Sequence, residues 1–202
     1  MADMTTKERI LDIALTLFSQ RGYDGVSMRD IAVETGIKAA SIYNYYAGKE
    51  DLLDAIVQEM DQRYQNNSQM IPGDADDAAA FFGQIAVETL VKLASDIFLY
   101  FLQDDYAARF RRLMTMEQFR NTHLRQVYHS HFIVDPLQFQ AYLFQVFMQQ
   151  GTFKRLDPQI AALHFYGPIF ALLNQYDGAE DPAAALDALR RHVEQFALLY
   201  SN

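Results

Sequence analysis

The feature that most constrains the fold is the spacing of turn and capping residues in 27–53, SMRDIAVETGIKAASIYNYYAGKEDLL. Ser27 followed by Asp30 is typical of a helix N-terminus, and Gly36 stands where that helix would end. A second short helical pattern covers residues 39–46, and a longer one follows at once. Two short helices joined by a tight glycine turn form a helix-turn-helix, and we predict that motif here.

Helical periodicity continues along the rest of the chain, and no strand-type alternation lasts beyond a few residues. Three Asp-Pro pairs each predict a helix start, because Asp caps helices and Pro fits the first turn. A polar break, 66–77, contains Pro72 and Gly73. Outside the motif, helices are predicted at 6–21, 49–67, 75–102, 104–117, 119–133, 136–150, 158–176 and 182–200.

The predicted fold class is therefore all-α. An N-terminal three-helix domain with the helix-turn-helix would occupy residues 1–53. Helix 4 would join it to a C-terminal helical domain, 54–202, for ligand binding and dimerisation.

Composition excludes several classes of function. The chain has no cysteine, which removes disulfides, thiolate nucleophiles and cysteine metal sites. We find no phosphate-cradling glycine loop and no nucleophile–base motif, so we predict no enzyme and no cofactor. His129 and His131 are two residues apart and would point to different faces of a helix, so for them and His123 we predict no metal site. The longest apolar run, 97–102, is too short to span a membrane, and we expect a cytoplasmic protein.

The charge balance weighs against a DNA-binding role. The chain has 17 basic and 26 acidic residues and a net charge of −9, and residues 1–55 contain six bases and nine acids. Phosphate contacts dominate affinity for DNA. We therefore expect weak non-specific binding with a strong dependence on salt.

The predicted second helix of the motif nevertheless suits a DNA groove. Its inner face would carry Ala39, Ile42 and Tyr46. Its outer face is small and polar without an acid, and comprises Ala40, Asn44 and Ala47, flanked by Ser41 and Tyr43. Lys38 would lie at the helix N-terminus, where a cation opposes the helix dipole and a partner outside the protein would compensate.

Two segments within residues 7–57, KERILDIALTLFSQRGYDGVSMRDIAVETGI and SIYNYYAGKEDLL, resemble the N-terminal domain of the TetR family of bacterial transcriptional repressors. The resemblance implies phosphate contacts from Ser27, Tyr43 and Lys49. It implies positions at or near base edges for Lys38, Ala40, Ser41 and Asn44. Because Asn pairs with adenine and Ala packs on the thymine methyl group, we predict an A·T step near the centre of each half-site.

Reading two half-sites requires a two-fold dimer. The resemblance implies that the last two helices form a four-helix bundle with those of a second copy. The interface candidates are Leu163, Phe170, Leu189, Val193 and Phe196.

The middle helices are rich in aromatic residues and methionine, which suits either a core or an apolar ligand pocket. If a pocket exists, its candidates are Phe101, Met114, Gln118, His123, Tyr142, His164 and Tyr166. A short basic run, Arg109, Arg111 and Arg112, is interpreted as a solvated face.

The predicted function is a ligand-responsive transcriptional regulator. It would bind a palindromic operator in double-stranded DNA as a homodimeric repressor, and a small apolar or aromatic effector would release it by displacing helix 4. The alternative is a DNA-binding protein of the same fold with a structural or cell-division role and no small-molecule effector.

Overall fold

A computed structural model describes residues 4–67 and 87–202 of the chain. Within these residues the chain is helical apart from turns, loops and an isolated antiparallel bridge between Phe153 and Ser201. The all-α prediction is confirmed. The predicted polar break beyond residue 67 and the predicted helix start at residue 75 lie outside the described residues.

The described residues form ten α-helices and a π-helical segment. In chain order these are α1 (Thr6–Arg21), α2 (Met28–Thr35), α3 (Ala39–Ile42), α4 (Lys49–Asn67), α5 (Val87–Gln103), α6 (Asp105–Glu117), α7 (Thr122–His129), the π-helical segment Ser130–Val134, α8 (Asp135–Gln150), α9 (Pro158–Gln175) and α10 (Ala183–Tyr200).

The chain divides into two compact units. The first unit comprises Met1–Asn67 and Asp105–Tyr128, and the second comprises Ser68–Asp104 and His129–Asn202. The first unit thus contains α6 and most of α7 in addition to the four N-terminal helices. The domain boundary predicted between residues 53 and 54 falls inside α4 and stays a prediction.

Local capping determines the ends of α1 and α2. The Thr5 hydroxyl accepts from the Glu8 N–H and the Glu8 carboxylate accepts from the Thr5 N–H, which makes a capping box. Ser27 and Asp30 form the same reciprocal pair at α2. Gly36 ends α2 in the left-handed conformation, with φ of 75°. The predictions for Ser27, Asp30 and Gly36 are confirmed.

The capping box of α2 predicts an acid-side loss of stability. Hydrogen bonds from Ser27 lower the pKa of Asp30 below its ordinary value of 3.8. A depressed folded pKa means that the contribution is complete above pH 3.8 and is lost as pH falls through the lower folded pKa. We expect the drop in unfolding free energy between pH 5 and pH 2.5, measured with urea, to be smaller in Asp30→Asn than in the native protein. An equal drop in both proteins would contradict this.

Helix α3 is shorter than predicted. It ends at Ile42, and residues 43–45 continue as tighter turns in which Asn44 N–H donates to Ser41 O at 3.2 Å and Tyr45 N–H donates to Ile42 O at 3.0 Å. The prediction of an α-helix to residue 46 is therefore wrong over its last four residues. The projection at 3.6 residues per turn also placed Ala39 inside, whereas Ala39 is exposed.

The predicted N-cap role of Asp135, before Pro136, is also wrong. Helix α7 runs through the π-helical segment into α8 without a break, so Asp135 is not an N-cap and the residue before it is helical. Pro136 has no N–H to donate to the carbonyl of Phe132. The hydroxyl of Tyr166 on α9 donates to that carbonyl, at 2.9 Å.

The core of the second unit is largely aromatic. Phe196 of α10 stacks on Tyr200 at 4.3 Å between ring centroids and meets the edge of Phe165 at 4.9 Å. Phe144 of α8 lies 5.2 Å from Phe196. Phe144 and Phe165, for which the sequence allowed either a core or a pocket, are buried in this core. The Asp157 carboxylate caps α9, as predicted.

Candidate nucleic-acid interface

The outer surface of α2 and α3 carries the predicted DNA-contacting residues. Ser27, Lys38, Ala40, Tyr43 and Asn44 are exposed. Ser41 and Lys49 are half-buried. No acidic residue occurs between positions 36 and 49. The Asn44 side chain makes no hydrogen bond within the described residues, so its amide is available to an external partner.

Two buried side chains hold this surface against α1. Ile42 is fully buried, and Tyr46 is 4% exposed. Burial is the main cause that raises the pKa of Tyr46 to about 12, and its hydroxyl donates to Lys7 O at 3.4 Å. The inner positions predicted for these two residues are confirmed. The exposed residues of α3 are thereby fixed on the opposite side.

Lys49 is engaged inside the protein. Its Nζ donates to Tyr23 O at 2.9 Å and Val26 O at 3.0 Å, and it lies 4.2 Å from the Tyr23 ring centroid. An ammonium has three N–H groups. At most one is therefore left for the predicted phosphate contact, which stays a prediction.

Two exposed residues of this surface were not predicted from the sequence. Arg29 is exposed in the first turn of α2, and its charge, with that of Arg21, contributes to the lowered pKa of Asp30, after the hydrogen bonds from Ser27. Tyr45, which the sequence left unassigned, is 41% exposed. A cation two residues after the capping Ser27 was the available signal for Arg29.

Helix α6 is attached to α1 by charged side chains. Arg109 donates to Asp12 Oδ1 at 2.7 Å, to Asp12 O at 3.0 Å and to Thr16 Oγ1 at 2.6 Å, and it also pairs with Asp105. The Arg109 side chain is 12% exposed, and Arg111 is 3% exposed. The prediction of a solvated basic face is therefore wrong for both residues. Asp12 is also paired, so its charge is directed toward α6.

Residues 10–56, which cover α1 to the start of α4, match the family model described as bacterial regulatory proteins, tetR family. The chain is 28% identical over 171 residues to YttP of Bacillus subtilis, a probable HTH-type transcriptional regulator, covering 84% of this chain and 76% of YttP. Residues 10–56 are therefore a TetR-type DNA-binding domain. Over most of its length the chain is similar to a transcriptional regulator and not to an enzyme.

The chain is also similar to IcaR in its N-terminal part and to FadR in its fold. IcaR of Staphylococcus epidermidis, a negative transcriptional regulator of the biofilm operon icaADBC, is 48% identical over 46 residues, which are 23% of this chain and 25% of IcaR. The crystal structure of FadR from Bacillus subtilis in complex with stearoyl-CoA has a TM-score of 0.67 and 20% identity, covering 94% of this chain and 96% of FadR. At that identity the FadR match shows the fold alone.

The predicted ligand-contacting residues of the chain fall in both units. Met114, Gln118 and His123 belong to the first unit, where Met114 is fully buried and His123 Nε2 lies 3.1 Å from Asp54 Oδ1. The second unit contains Phe101, Tyr142, His164 and Tyr166. His164 pairs with the Tyr200 hydroxyl, and Tyr166 bonds to Phe132 as described above. The seven residues do not share one unit, and the effector site stays a prediction.

The predicted interface residues divide by burial. Leu189 and Val193 are fully buried and Phe196 is 3% exposed, so all three are already covered within one chain and belong to the core. Leu163 is 50% exposed, and Phe170 is half-buried. Apolar periodicity identified the helices but did not separate the face turned to the core from the face turned outward.

Within residues 4–67 and 87–202, no group of three or more His, Cys, Asp or Glu side chains is placed to hold a metal ion. No helix there has the length and apolar character needed to cross a bilayer.

Proposed function

We propose that this TetR-family regulator is a homodimeric repressor that binds a palindromic operator and is released by a small effector. The observation that carries the proposal is the outer surface of α2 and α3, which is exposed, free of acids between residues 36 and 49, and centred on an unbonded Asn44 amide. Repression is supported by IcaR, a negative regulator with which the N-terminal segment shares 48% identity. Binding to chromosomal DNA would place the protein in the cytoplasm.

The homodimer is supported by exposed apolar residues in the second unit. Ile160 and Leu163 on α9 are 47% and 50% exposed, and Leu198 and Leu199 on α10 are 79% and 66% exposed. The contact between His164 and Tyr200 brings the two helices together at this level. A two-fold axis through such a surface would bury it against its own copy and form a four-helix bundle.

The proposed effector is a small apolar or aromatic molecule bound among the second unit's aromatic residues, near Phe101 and Tyr142. In this unit the Gln140 side-chain oxygen is buried and has no hydrogen-bond partner within the described residues. A donor group on the effector would satisfy such an oxygen. FadR, which has the same fold, was crystallised with stearoyl-CoA, and it supports a ligand in this type of fold without identifying the one used here.

Release would act through the helices that pack on the DNA-binding motif. In the first unit α6 contacts α4 as well as α1, since the Tyr106 hydroxyl donates to Ile56 O at 3.0 Å and the Arg63 guanidinium lies 4.4 Å from the Tyr106 ring centroid. A movement of α6 would therefore also move α4. The effector regulates binding only if it has unequal affinity for the DNA-bound and released states.

Sequencing the DNA that co-purifies with the cross-linked protein tests this function. We expect a small number of sites upstream of genes, each with two-fold symmetry and an A·T step near the centre of each half-site. Many sites away from promoters would instead support the structural alternative. Absence of any enriched sequence would contradict site-specific binding.

A further inference from the structure

Glu117 joins the end of α6 to the α1–α2 turn, which comprises residues 22–26. Its carboxylate accepts a hydrogen bond from the backbone N–H of Tyr23 at 2.9 Å, across 94 positions of sequence. The residue is only 1% exposed. A backbone N–H bonded to a buried carboxylate is a charge-assisted hydrogen bond, which is stronger than a bond between neutral groups.

The backbone of the α1–α2 turn is shaped to receive this carboxylate. Gly22 has φ of 76° and ψ of 161°, a conformation that is essentially restricted to glycine. A Cβ atom at Gly22 would lie 2.7 Å from Glu117 Oε1. The glycine is thus required both by its dihedral angles and by the approach of Glu117.

The same turn is held from a second side by a cation. Lys49, at the start of α4, donates hydrogen bonds to the carbonyls of Tyr23 and Val26, as described above. The Tyr23 ring packs on Phe18 of α1 at 5.2 Å between centroids. The turn is therefore fixed between an anion from α6 and a cation from α4.

The other carboxylate oxygen of Glu117 is buried and has no hydrogen-bond partner within the described residues. Such a group destabilises the folded state, because water no longer solvates it. Core packing alone would be served as well by an apolar residue of similar volume. The carboxylate is therefore better explained by its hydrogen bond to the Tyr23 N–H than by a contribution to core packing.

The α1–α2 turn leads directly into the DNA-binding surface. Val26 precedes the capping residue Ser27, and α2 leads through Gly36 into α3. We propose that Glu117 is a positioning residue for DNA binding, whose carboxylate fixes the α1–α2 turn and so ties the orientation of α2 and α3 to α6. This inference rests on the proposed function, because it concerns the affinity of the same surface for operator DNA.

The test compares Glu117→Ala and Glu117→Gln with the control Leu113→Ala. Gln keeps an oxygen that can accept from Tyr23, whereas Ala removes it. Leu113 is fully buried on the same helix, so its truncation destabilises the unit while the Glu117 carboxylate remains. Two quantities are measured: hydrogen exchange of the Tyr23 amide in the free protein, and the dissociation constant for an operator fragment obtained from the co-purified DNA.

We expect Glu117→Ala to lose protection at the Tyr23 amide and to bind the operator about tenfold more weakly, as when about one tenth of the molecules are competent to bind. Glu117→Gln should restore most of the protection and affinity. Leu113→Ala should retain both the Tyr23 protection and the operator affinity when urea is used to give it the same folded fraction as Glu117→Ala.

Three possible results distinguish a failure of the proposed function from a failure of the positioning role of Glu117. If the native protein selects no DNA, the proposed function fails and this inference fails with it. If the native protein binds and Glu117→Ala binds equally well, only the positioning role is overturned. If Leu113→Ala weakens binding as much as Glu117→Ala at equal stability, Glu117 acts merely as a core residue.

Discussion

Replacing Leu163 with arginine is expected to convert the proposed dimer into a monomer and to weaken operator binding by at least about a hundredfold. Leu163 is 50% exposed on α9, beside the exposed residues of α10. In a two-fold interface each substitution occurs twice, so two cations would be buried in an apolar bundle. Linked half-site binding exceeds single-site binding by about a hundredfold to ten-thousandfold, and that advantage would be lost.

Light scattering coupled to size-exclusion chromatography would measure the change, with a mass near the chain mass of 23.2 kDa expected for the variant. Leu156→Arg is the matched control, because Leu156 is 53% exposed and lies in the loop before α9. It should retain the dimer and the affinity. A dimeric Leu163→Arg protein with native affinity would show that the two copies meet elsewhere.

The second large effect is expected at Asn44. Its amide is exposed and unbonded, and a bidentate Asn–adenine pair contributes about 1–3 kcal/mol of discrimination between bases. Asn44→Ala should therefore weaken binding to the native operator by about that amount, measured by fluorescence anisotropy at fixed salt. Its fold should be unchanged, since the side chain contacts no other described residue through hydrogen bonds.

A double-mutant cycle between protein and DNA makes this test specific. Changing the central A·T step of the half-site to G·C should weaken the native protein by about 1–3 kcal/mol, whereas it should have little further effect on Asn44→Ala. If both proteins respond equally to the base change, Asn44 does not read that step. A selected operator with only G·C pairs at these positions would contradict the prediction directly.

Much of the DNA-binding surface follows from the sequence because its determinants are local. Ser27 with Asp30, and Gly36 at the end of α2, act within a few residues of one another. The positions of Ile42 and Tyr46 also followed from helical periodicity, although α3 ends four residues earlier than predicted. Periodicity could not show that the α-helix gives way to tighter turns after Ile42. Over a single turn the same apolar spacing fits both the α-helical pitch and the tighter one.

The second unit could be predicted only in outline. Its helices were evident from apolar patterns and Asp-Pro pairs, but Asp135 is the first residue of α8 instead of its N-cap, because the preceding π-helical segment is already helical. Leu189, Val193 and Phe196 are buried within one chain, and their part in an interface stays a prediction. Both outcomes depend on which neighbouring helix covers a given face, and no local pattern contains that information.

The sequence by itself determined the helical class, the caps and the small acid-free surface of the helix-turn-helix. Each of these results from interactions between residues close together along the chain. Only the tertiary structure placed α6 in the unit that contains the motif, with Arg109 bonded to Asp12 and Glu117 bonded to Tyr23. Those partners are 97 and 94 positions apart. Their pairing is decided by how the helices pack, because the sequence around a charged residue does not show which distant group will bond to it in the folded protein.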